Sequence, residues 1–150
     1  MGKKKMTSQT AEQALKENTV VEEAVSKTTG KSVSKKFENG RVYINATYNN
    51  TVISITDEKG NLVAWSSAGA LGFSGPKKAT PFAAAKIIAA LSEKIQKSGP
   101  FNVRVFVSGI GGGRDSALRS LVNRGFNVTG IKDVTPIPHN GPRPVKVRRI

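Results

Sequence analysis

The sequence lacks cysteine altogether and has few aromatic and few acidic residues. Without cysteine, this 150-residue chain can form no disulfide, thiolate zinc site or cysteine nucleophile, and it fits a reducing compartment. No apolar run approaches the roughly 18 residues of a membrane-spanning helix. Lys3, Lys4 and Lys5 are not followed by the apolar segment that a secretory signal needs. We therefore expect one cytosolic domain with extensions.

Positive charge is abundant. The chain has 24 lysine and arginine residues against 10 aspartate and glutamate residues, a formal net charge of +14. A surplus of this size in a small chain favours a polyanionic partner, with nucleic acid ahead of an anionic membrane surface. Residues 136–150 contain Arg143, Lys146, Arg148 and Arg149 and no acid. That segment is the strongest candidate for contact with nucleic acid.

Composition divides the chain into three parts. Residues 1–36 are rich in Lys, Thr, Ser and Glu and cannot bury much apolar surface, which predicts a flexible arm. Within the arm, AEQALKENTVVEEAV could form a transient helix, although a solvated tail is the simpler interpretation. Residues 37–135 carry the patterns of a folded α/β domain, and residues 136–150 are proline-rich and basic, as in an extended tail.

The domain is predicted to order its elements as βββαβαβ. Apolar and polar residues alternate from Arg41, and Asn49-Asn50 predicts a tight turn, because asparagine tolerates left-handed backbone. Thr80 is a plausible N-cap before a helix that runs to Gly99-Pro100, and Gly125 is expected to end a second helix. This order predicts a mixed five-stranded sheet with packed helices.

Two glycine-containing loops are candidate anion sites. In SAGALGFSGPKKATP, Lys77 and Lys78 precede the helix capped by Thr80, so two ammonium groups and a positive helix end point the same way. The alternative is a solvated lysine pair. GIGGGR at 109–114 does not match a dinucleotide or P-loop motif, but it leaves a helix N-terminus with Arg114 beside it. It could meet an RNA phosphate or be a plain strand-to-helix turn.

Enzymatic function has little support in the sequence. His139 has no cysteine or acid nearby in the tail, so metal binding and triad catalysis lack partners, whereas RNA contact or simple loop polarity remain open. No two acids are spaced for two-carboxylate chemistry. The acids after residue 36 are Glu38, Asp57, Glu58, Glu93, Asp115 and Asp133. We expect no metal, cofactor or small-molecule substrate.

Four segments together resemble one known family. NNTVISITD, WSSAGALGFSGPKKATPFAAA, SGIGGGRDSALRSL and IKDVTPIPHNGPRP are similar to the signature segments of ribosomal protein eleven of the small subunit, a universal family, and most similar to its bacterial members. The resemblance runs from about Gly40 to Ile150. It implies a ribonuclease H-like domain without nuclease activity that binds ribosomal RNA on the subunit platform. It also implies ribosomal proteins seven and eighteen as neighbours and a place beside the messenger RNA leader (Shine-Dalgarno) cleft.

The resemblance also implies which residues contact RNA. They lie in the asparagine turn, the two glycine loops and the tail: Asn49, Asn50, Gly75, Lys77, Lys78, Thr80, Gly112, Gly113, Arg114, His139, Asn140, Gly141, Arg143, Lys146, Arg148 and Arg149. Pro142 and Val145 depart from the GCRPPK that family members commonly have here. The implied location is the ribosome, in the cytoplasm or in an organelle.

Two further hypotheses follow from the residues. In Asn140-Gly141, the glycine nitrogen can attack the asparagine side-chain amide, which predicts a succinimide and then isoaspartate at Asn140. Composition alone also allows a free-standing RNA chaperone or regulator in place of a ribosomal component. A ribonuclease H-like nuclease is disfavoured because the acid cluster that it needs is missing.

Overall fold

The computed structural model describes residues 38–96, 102–143 and 145. It contains five strands and two α-helices: β1 (Asn39–Ala46), β2 (Thr51–Asp57), β3 (Leu62–Ser67), α1 (Pro81–Ile95), β4 (Asn102–Ser108), α2 (Gly113–Asn123) and β5 (Asn127–Asp133). The predicted order βββαβαβ is confirmed.

The strands form one mixed sheet in the order β3-β2-β1-β4-β5. β2 pairs antiparallel with β1 and β3, whereas β4 pairs parallel with β1 and β5. This is the mixed five-stranded sheet expected of a ribonuclease H-like fold. Because β1, β4 and β5 are parallel, their carboxyl ends lie at one edge of the sheet, which we call the carboxyl edge. β2 begins and β3 ends at the same edge.

The core lies between the two helices and one face of the sheet. Val42, Ile44 and Ala46 of β1 alternate with more exposed residues and are almost completely buried. They pack with an alanine- and isoleucine-rich face of α1, which includes Ala84 and Ile87. Small alanine side chains let the helix approach the sheet closely, and removing this apolar surface from water stabilises the fold. The opposite face of the sheet is covered by no helix of the described chain.

The start of α1 and the end of α2 use the capping residues that the sequence predicts. The Thr80 hydroxyl accepts a hydrogen bond from the Ala83 N–H at 3.3 Å, and Pro81 occupies the first helical position of α1. At the end of α2, Gly125 is left-handed with φ +85°. Its N–H donates to the Val122 carbonyl at 3.0 Å and the Phe126 N–H donates to the Leu121 carbonyl at 3.3 Å, which is a Schellman motif.

Two local predictions were wrong. The predicted order βββαβαβ has no helix in the loop between β3 and α1, yet Gly69–Leu71 and Gly75–Ala79 form short 3-10 helices there. Leu71 is fully buried, so the first of these helices is held by the core. The Asn49-Asn50 turn has no left-handed residue, because Asn140 is the only non-glycine residue in the described chain with positive φ.

Several predictions lie outside the described residues: the arm at 1–36 with its transient helix, the helix stop at Gly99-Pro100, and the end of the tail. In the part of the chain that the structure describes, no helix is both long and apolar enough to cross a membrane.

Candidate nucleic-acid interface

The carboxyl edge brings together the predicted contact segments. The β1–β2 loop, the glycine loop after β4 and the segment that follows β5 all start there. The lysine-containing loop connects the end of β3 at this edge to the start of α1. Segments that are far apart in sequence therefore share one surface because the sheet is mixed.

The β1–β2 loop is a four-residue connection from Thr47 to Asn50. The Thr47 N–H donates to the Asn50 carbonyl at 2.9 Å, and the Asn50 N–H donates to the Thr47 hydroxyl at 3.1 Å. Four-residue hairpin loops are usually built on turns that need no positive φ, which explains why neither asparagine is left-handed. Asn49 is exposed, so its amide can reach a ligand.

Two buried polar atoms sit at the end of this loop. The Asn50 side-chain oxygen and the Thr51 hydroxyl are buried and have no hydrogen-bond partner among the described residues. Thr51 is 0% exposed. A buried polar group without a partner costs free energy, so this corner of the carboxyl edge carries a local stability cost.

The glycine loop after β4 packs directly on the backbone of the β1–β2 hairpin. A Cβ on Gly109 would lie 2.2 Å from the Ala46 carbonyl oxygen, and a Cβ on Gly111 would lie 2.2 Å from the Thr47 carbonyl oxygen. The Gly111 N–H also donates to the Ala46 carbonyl at 2.8 Å. Glycine is therefore required at these two positions for close packing.

The two glycines predicted to contact RNA differ from each other. Gly112 is exposed, and a Cβ there would meet only ordinary contacts, the nearest 3.5 Å from the Ala79 carbonyl oxygen. Gly113 is buried, and a Cβ there would lie 2.6 Å from the Thr51 hydroxyl. Gly112 can therefore face a ligand, whereas Gly113 fits against Thr51.

Arg114 is held by the protein itself. Its guanidinium donates through Nη1 to the Gly109 carbonyl at 2.8 Å and through Nη2 to the Asp133 carboxylate at 2.7 Å. The side chain is 28% exposed. The predicted phosphate contact by Arg114 stays a prediction. The geometry gives this residue a structural role, because it joins the glycine loop to the end of β5.

Asp133 and Thr135 complete that junction. The Thr135 hydroxyl and N–H donate to the Asp133 carboxylate at 2.6 and 2.8 Å, and the Gly109 N–H donates to the Thr135 hydroxyl at 3.1 Å. The Thr135 hydroxyl, followed by the Arg114 side chain, holds the pKa of Asp133 far below its ordinary value. Sequence analysis missed both residues as part of the site. An aspartate two residues before a threonine, the pattern of an Asx turn, was the available signal.

The lysine-containing loop lies beside the glycine loop, with the Ala79 carbonyl oxygen next to Gly112. Gly75 is left-handed with φ +55°, and Lys77 and Lys78 lie in the short 3-10 helix just before α1. Thr80 is already engaged, because its hydroxyl donates to the Lys77 carbonyl at 2.8 Å besides capping the helix. The Ser116 hydroxyl of α2 donates to the Pro81 carbonyl at 2.7 Å and so links the two helix starts.

The tail leaves the carboxyl edge and is exposed. The Val134 N–H donates to the Val107 carbonyl at 2.8 Å, and no helix or strand follows among the described residues. The predicted contact residues His139, Asn140, Gly141 and Arg143 are all exposed, and Asn140 has φ +51°. The remaining predicted cations, Lys146, Arg148 and Arg149, lie outside the described residues.

The electrostatics of this edge suit an anion. α1 and α2 both begin here, and the N-terminus of a helix carries partial positive charge from its unpaired N–H groups. Lys77 and Lys78 add formal positive charge next to the start of α1. Among the described residues, no group of three or more His, Cys, Asp or Glu side chains could hold a metal ion.

Taken together, these features define a small basic α/β protein with a five-stranded mixed sheet, helices on one face and the predicted contact loops at one edge. A family model described as Ribosomal protein S11 matches residues 40–149, which is well over half of the chain. The chain therefore belongs to the ribosomal protein S11 family, whose members are structural proteins of the small ribosomal subunit and act in translation. Association with ribosomal RNA is general in this family.

Proposed function

We propose that the carboxyl edge and the tail bind ribosomal RNA on the platform of the small subunit and help to shape the cleft for the messenger RNA leader. The observation that carries this proposal is the convergence of three loops and the start of the basic tail on one edge of the sheet. The residues themselves make the two glycine-containing loops and the tail candidate contact sites, and the family resemblance adds the β1–β2 loop.

The chemistry of the edge supports recognition of RNA shape. Asn49 offers amide donors and acceptors, Gly112 allows close approach to backbone N–H groups, and Lys78 and Arg143 can neutralise phosphates. Arg114 positions the glycine loop, because Asp133 already balances its charge. Folded RNA is recognised largely through shape and phosphate contacts, and a surface of turns around a fixed sheet is suited to that.

The remaining details rest on the family resemblance. We propose ribosomal proteins seven and eighteen of the small subunit as neighbours, a cytoplasmic location in the ribosome, and a structural role without catalysis. The division into an arm (1–36), a domain (37–135) and a tail (136–150) is proposed from composition and residue pattern.

Sucrose-gradient sedimentation of cell extracts tests the assignment to the ribosome. The protein is expected to migrate with small subunits and with whole ribosomes, and to leave them only when the particles are dissociated. A protein found mainly at the top of the gradient would favour the free-standing RNA chaperone and overturn the proposal.

Site-directed cleavage tests which surface meets RNA. Because the chain contains no cysteine, one engineered cysteine gives a unique attachment point for an iron chelate that cleaves nearby RNA. Tyr48→Cys places the probe in the β1–β2 loop, where Tyr48 is 74% exposed. Glu93→Cys places it on the exposed surface of α1 near its far end. We expect cleavage of small-subunit RNA from Tyr48→Cys in assembled subunits, and stronger cleavage from Glu93→Cys would reject this orientation.

A further inference from the structure

The face of the sheet opposite the helices carries a second set of groups that the proposed function does not use. We call it the open face and define it by Arg41, Tyr43, Trp65, Arg104, Phe106 and Lys132. The pairing registers place these side chains on the same side of neighbouring strands. Arg41, Tyr43 and Arg104 lie in the middle of their strands or towards the end opposite the carboxyl edge, whereas Lys132 is next to the carboxyl edge.

Three aromatic residues form a row across the open face. Tyr43 and Phe106 are Cα partners on β1 and β4, and their rings stack with centroids 5.1 Å apart and planes 16° apart. On the other side of Tyr43, Ser54 and then Trp65 continue the row on β2 and β3. Tyr43 is 36% exposed and Trp65 is 53% exposed. Large aromatic surface is therefore open to solvent on a rigid sheet.

The serine between two of these rings leaves space for a flat ligand. Trp65 and Tyr43 are two strands apart, which corresponds to roughly 9 to 10 Å between their backbones. Ser54, which lies between them in the register, has a side chain much shorter than either ring. A nucleobase, about 3.4 Å thick in a stack, fits between or beside such rings.

Two arginines next to this row form no ion pair among the described residues. Arg41 and Arg104 are Cα partners on the adjacent parallel strands β1 and β4. Neither has a carboxylate within 4.0 Å in the described chain. Like charges directly opposite each other on neighbouring strands are unfavourable. An anion bound between them would relieve that repulsion.

A cavity of about 450 Å³ lies beside the two arginines. Asn39, Asn102 and Thr129 add polar groups to its lining, and Glu58 is the one acid among the described residues that line it. The balance of charge at the cavity is positive, and Lys132 extends the positive charge along the aromatic row.

The geometry points to the open face as a binding platform for a single-stranded segment of RNA, with bases stacked on Tyr43, Phe106 and Trp65 and a phosphate held by Arg41 and Arg104. This inference rests on the proposed function, because it requires a chain that meets RNA. Aromatic stacking beside unpaired cations is the usual composition of single-strand platforms. Aromatic residues and arginine also occur in protein interfaces, so composition alone does not separate the two partners. RNA is favoured by charge, because the residues that define the open face include three cations and no acid.

The first experiment uses the only tryptophan of the chain, Trp65, as a reporter at the site itself. The full chain is titrated with a fluorescein-labelled oligouridylate of about ten nucleotides. Label anisotropy measures total binding, and indole emission measures stacking at Trp65. We expect both signals to change together. If the anisotropy saturates while Trp65 emission is unchanged, RNA binding by the open face is rejected. That result would still be consistent with binding by the carboxyl edge and the tail.

Paired variants separate the contributions. Tyr43→Leu with Phe106→Leu keeps apolar bulk and removes the aromatic faces, and we expect binding through the platform to weaken about 5- to 30-fold. Arg41→Gln with Arg104→Gln should lower the salt slope by about 0.7, the value for one phosphate of a single strand. The charge-matched control is Arg119→Gln with Arg124→Gln, on exposed positions of α2 and just after it. If the control pair has the same effect as Arg41→Gln with Arg104→Gln, the platform is rejected. Circular dichroism confirms that each variant is folded.

The second experiment examines assembled small subunits. Ultraviolet irradiation followed by peptide mass spectrometry should find nucleotide adducts on Tyr43, Trp65 or Phe106. Adducts confined to the carboxyl edge or tail would support the proposed function and would reject RNA binding by the open face. Chemical crosslinks from Lys132 to another ribosomal protein, without nucleotide adducts on the open face, would show that protein covers it. Absence of the chain from small subunits would instead reject the proposed function.

Discussion

The Arg114 guanidinium donates to the Asp133 carboxylate at 2.7 Å and thereby joins the first turn of α2 to the last residue of β5. The same guanidinium donates to the Gly109 carbonyl, and the same carboxylate accepts two hydrogen bonds from Thr135. One ion pair therefore fixes the glycine loop, the helix start and the origin of the tail. These are the elements that must keep a fixed geometry if the carboxyl edge matches an RNA surface.

Asp133→Asn is expected to lower stability at neutral pH and to flatten its dependence on acid. The Thr135 hydroxyl and then Arg114 depress the pKa of Asp133 in the folded state. A group with a depressed pKa stabilises the fold above its unfolded pKa of about 3.9, and this contribution is lost as the pH falls through the folded value. The melting temperatures of the two proteins should differ most above about pH 5. The difference should begin to shrink below the unfolded pKa of about 3.9 and continue to shrink as the pH approaches the much lower folded pKa.

Glu93→Gln is the control for this prediction. It removes an exposed carboxylate of α1 that makes no hydrogen bond or ion pair within the described chain. It should leave the slope of stability against pH close to that of the wild type. Equal slopes for the wild type and Asp133→Asn would show that the ion pair does not stabilise the folded state. Added salt should narrow the difference, because the Asp133 side chain is 56% exposed.

Gly111→Ala is expected to destabilise the domain far more than Gly112→Ala. A Cβ at Gly111 would lie 2.2 Å from the Thr47 backbone oxygen, which cannot move without displacing the hairpin, so we expect a loss of about 3 kcal/mol. A Cβ at Gly112 meets nothing closer than 3.5 Å, so the loss should stay within about 1 kcal/mol. Chemical denaturation measures both values. Equal losses would contradict the close packing of the glycine loop on β1.

Thr51→Val and Thr47→Val should change stability in opposite directions. The Thr51 hydroxyl is buried without a partner among the described residues, so its removal is expected to stabilise the fold by about 1 kcal/mol. The Thr47 hydroxyl donates to the Asn50 carbonyl and accepts from the Asn50 N–H, so its removal should cost about 1 kcal/mol. Denaturation curves decide the signs. A loss on Thr51→Val would mean that its hydroxyl has a stabilising partner or that the added methyl clashes with Gly113.

Local sequence signals were sufficient for the elements of this fold. The alternation from Arg41 predicted β1, Thr80-Pro81 predicted the start of α1, and Gly125 predicted the end of α2, because each depends on contacts within a few residues. The loop before α1 was harder. Its 3-10 helices depend on burial of Leu71 in a core formed by other elements, and no periodicity within the loop reveals that.

The sequence predicted which segments form the site better than it predicted what each residue does there. The sequence located the loops, and the parallel pairing of β1, β4 and β5 explains why they meet. It could not show that Arg114 pairs with a residue 19 positions away, or that Gly111 packs against Thr47. The prediction of left-handed backbone at Asn49-Asn50 was wrong because the loop spans four residues and not two. Such contacts between distant segments are set by the sheet.

Neutralising the tail is expected to weaken RNA binding and to reduce its salt dependence while the fold is kept. Replacing Arg143, Lys146, Arg148 and Arg149 by glutamine should lower the salt slope by roughly three, at about 0.7 to 0.9 per phosphate contact. The control replaces Lys59, Lys94, Arg119 and Arg124, four cations away from the carboxyl edge. Filter binding of small-subunit RNA at several salt concentrations gives both slopes. An unchanged slope in the tail variant would identify the tail as a solvated extension.

Asn140-Gly141 is expected to form isoaspartate, whereas the other Asn-Gly pair of the chain, Asn39-Gly40, should not. Asn140 is exposed in a segment without helix or strand, so the glycine nitrogen can turn to attack the side-chain amide. Asn39 begins β1, where its side-chain oxygen accepts from Asn102 at 3.3 Å and its backbone is paired with β4.

Peptide mass spectrometry with isoaspartyl methyltransferase labelling compares the two sites in one sample of assembled ribosomes. Gly141→Ala provides the control, because a methyl group at the attacking position hinders ring closure and should abolish the label. Label at both pairs would show that strand pairing gives no protection, and label at neither would reject the reaction. Label at Asn140 alone would confirm the prediction. Isoaspartate at this position inserts a methylene into the tail backbone and so displaces Arg143 relative to the carboxyl edge.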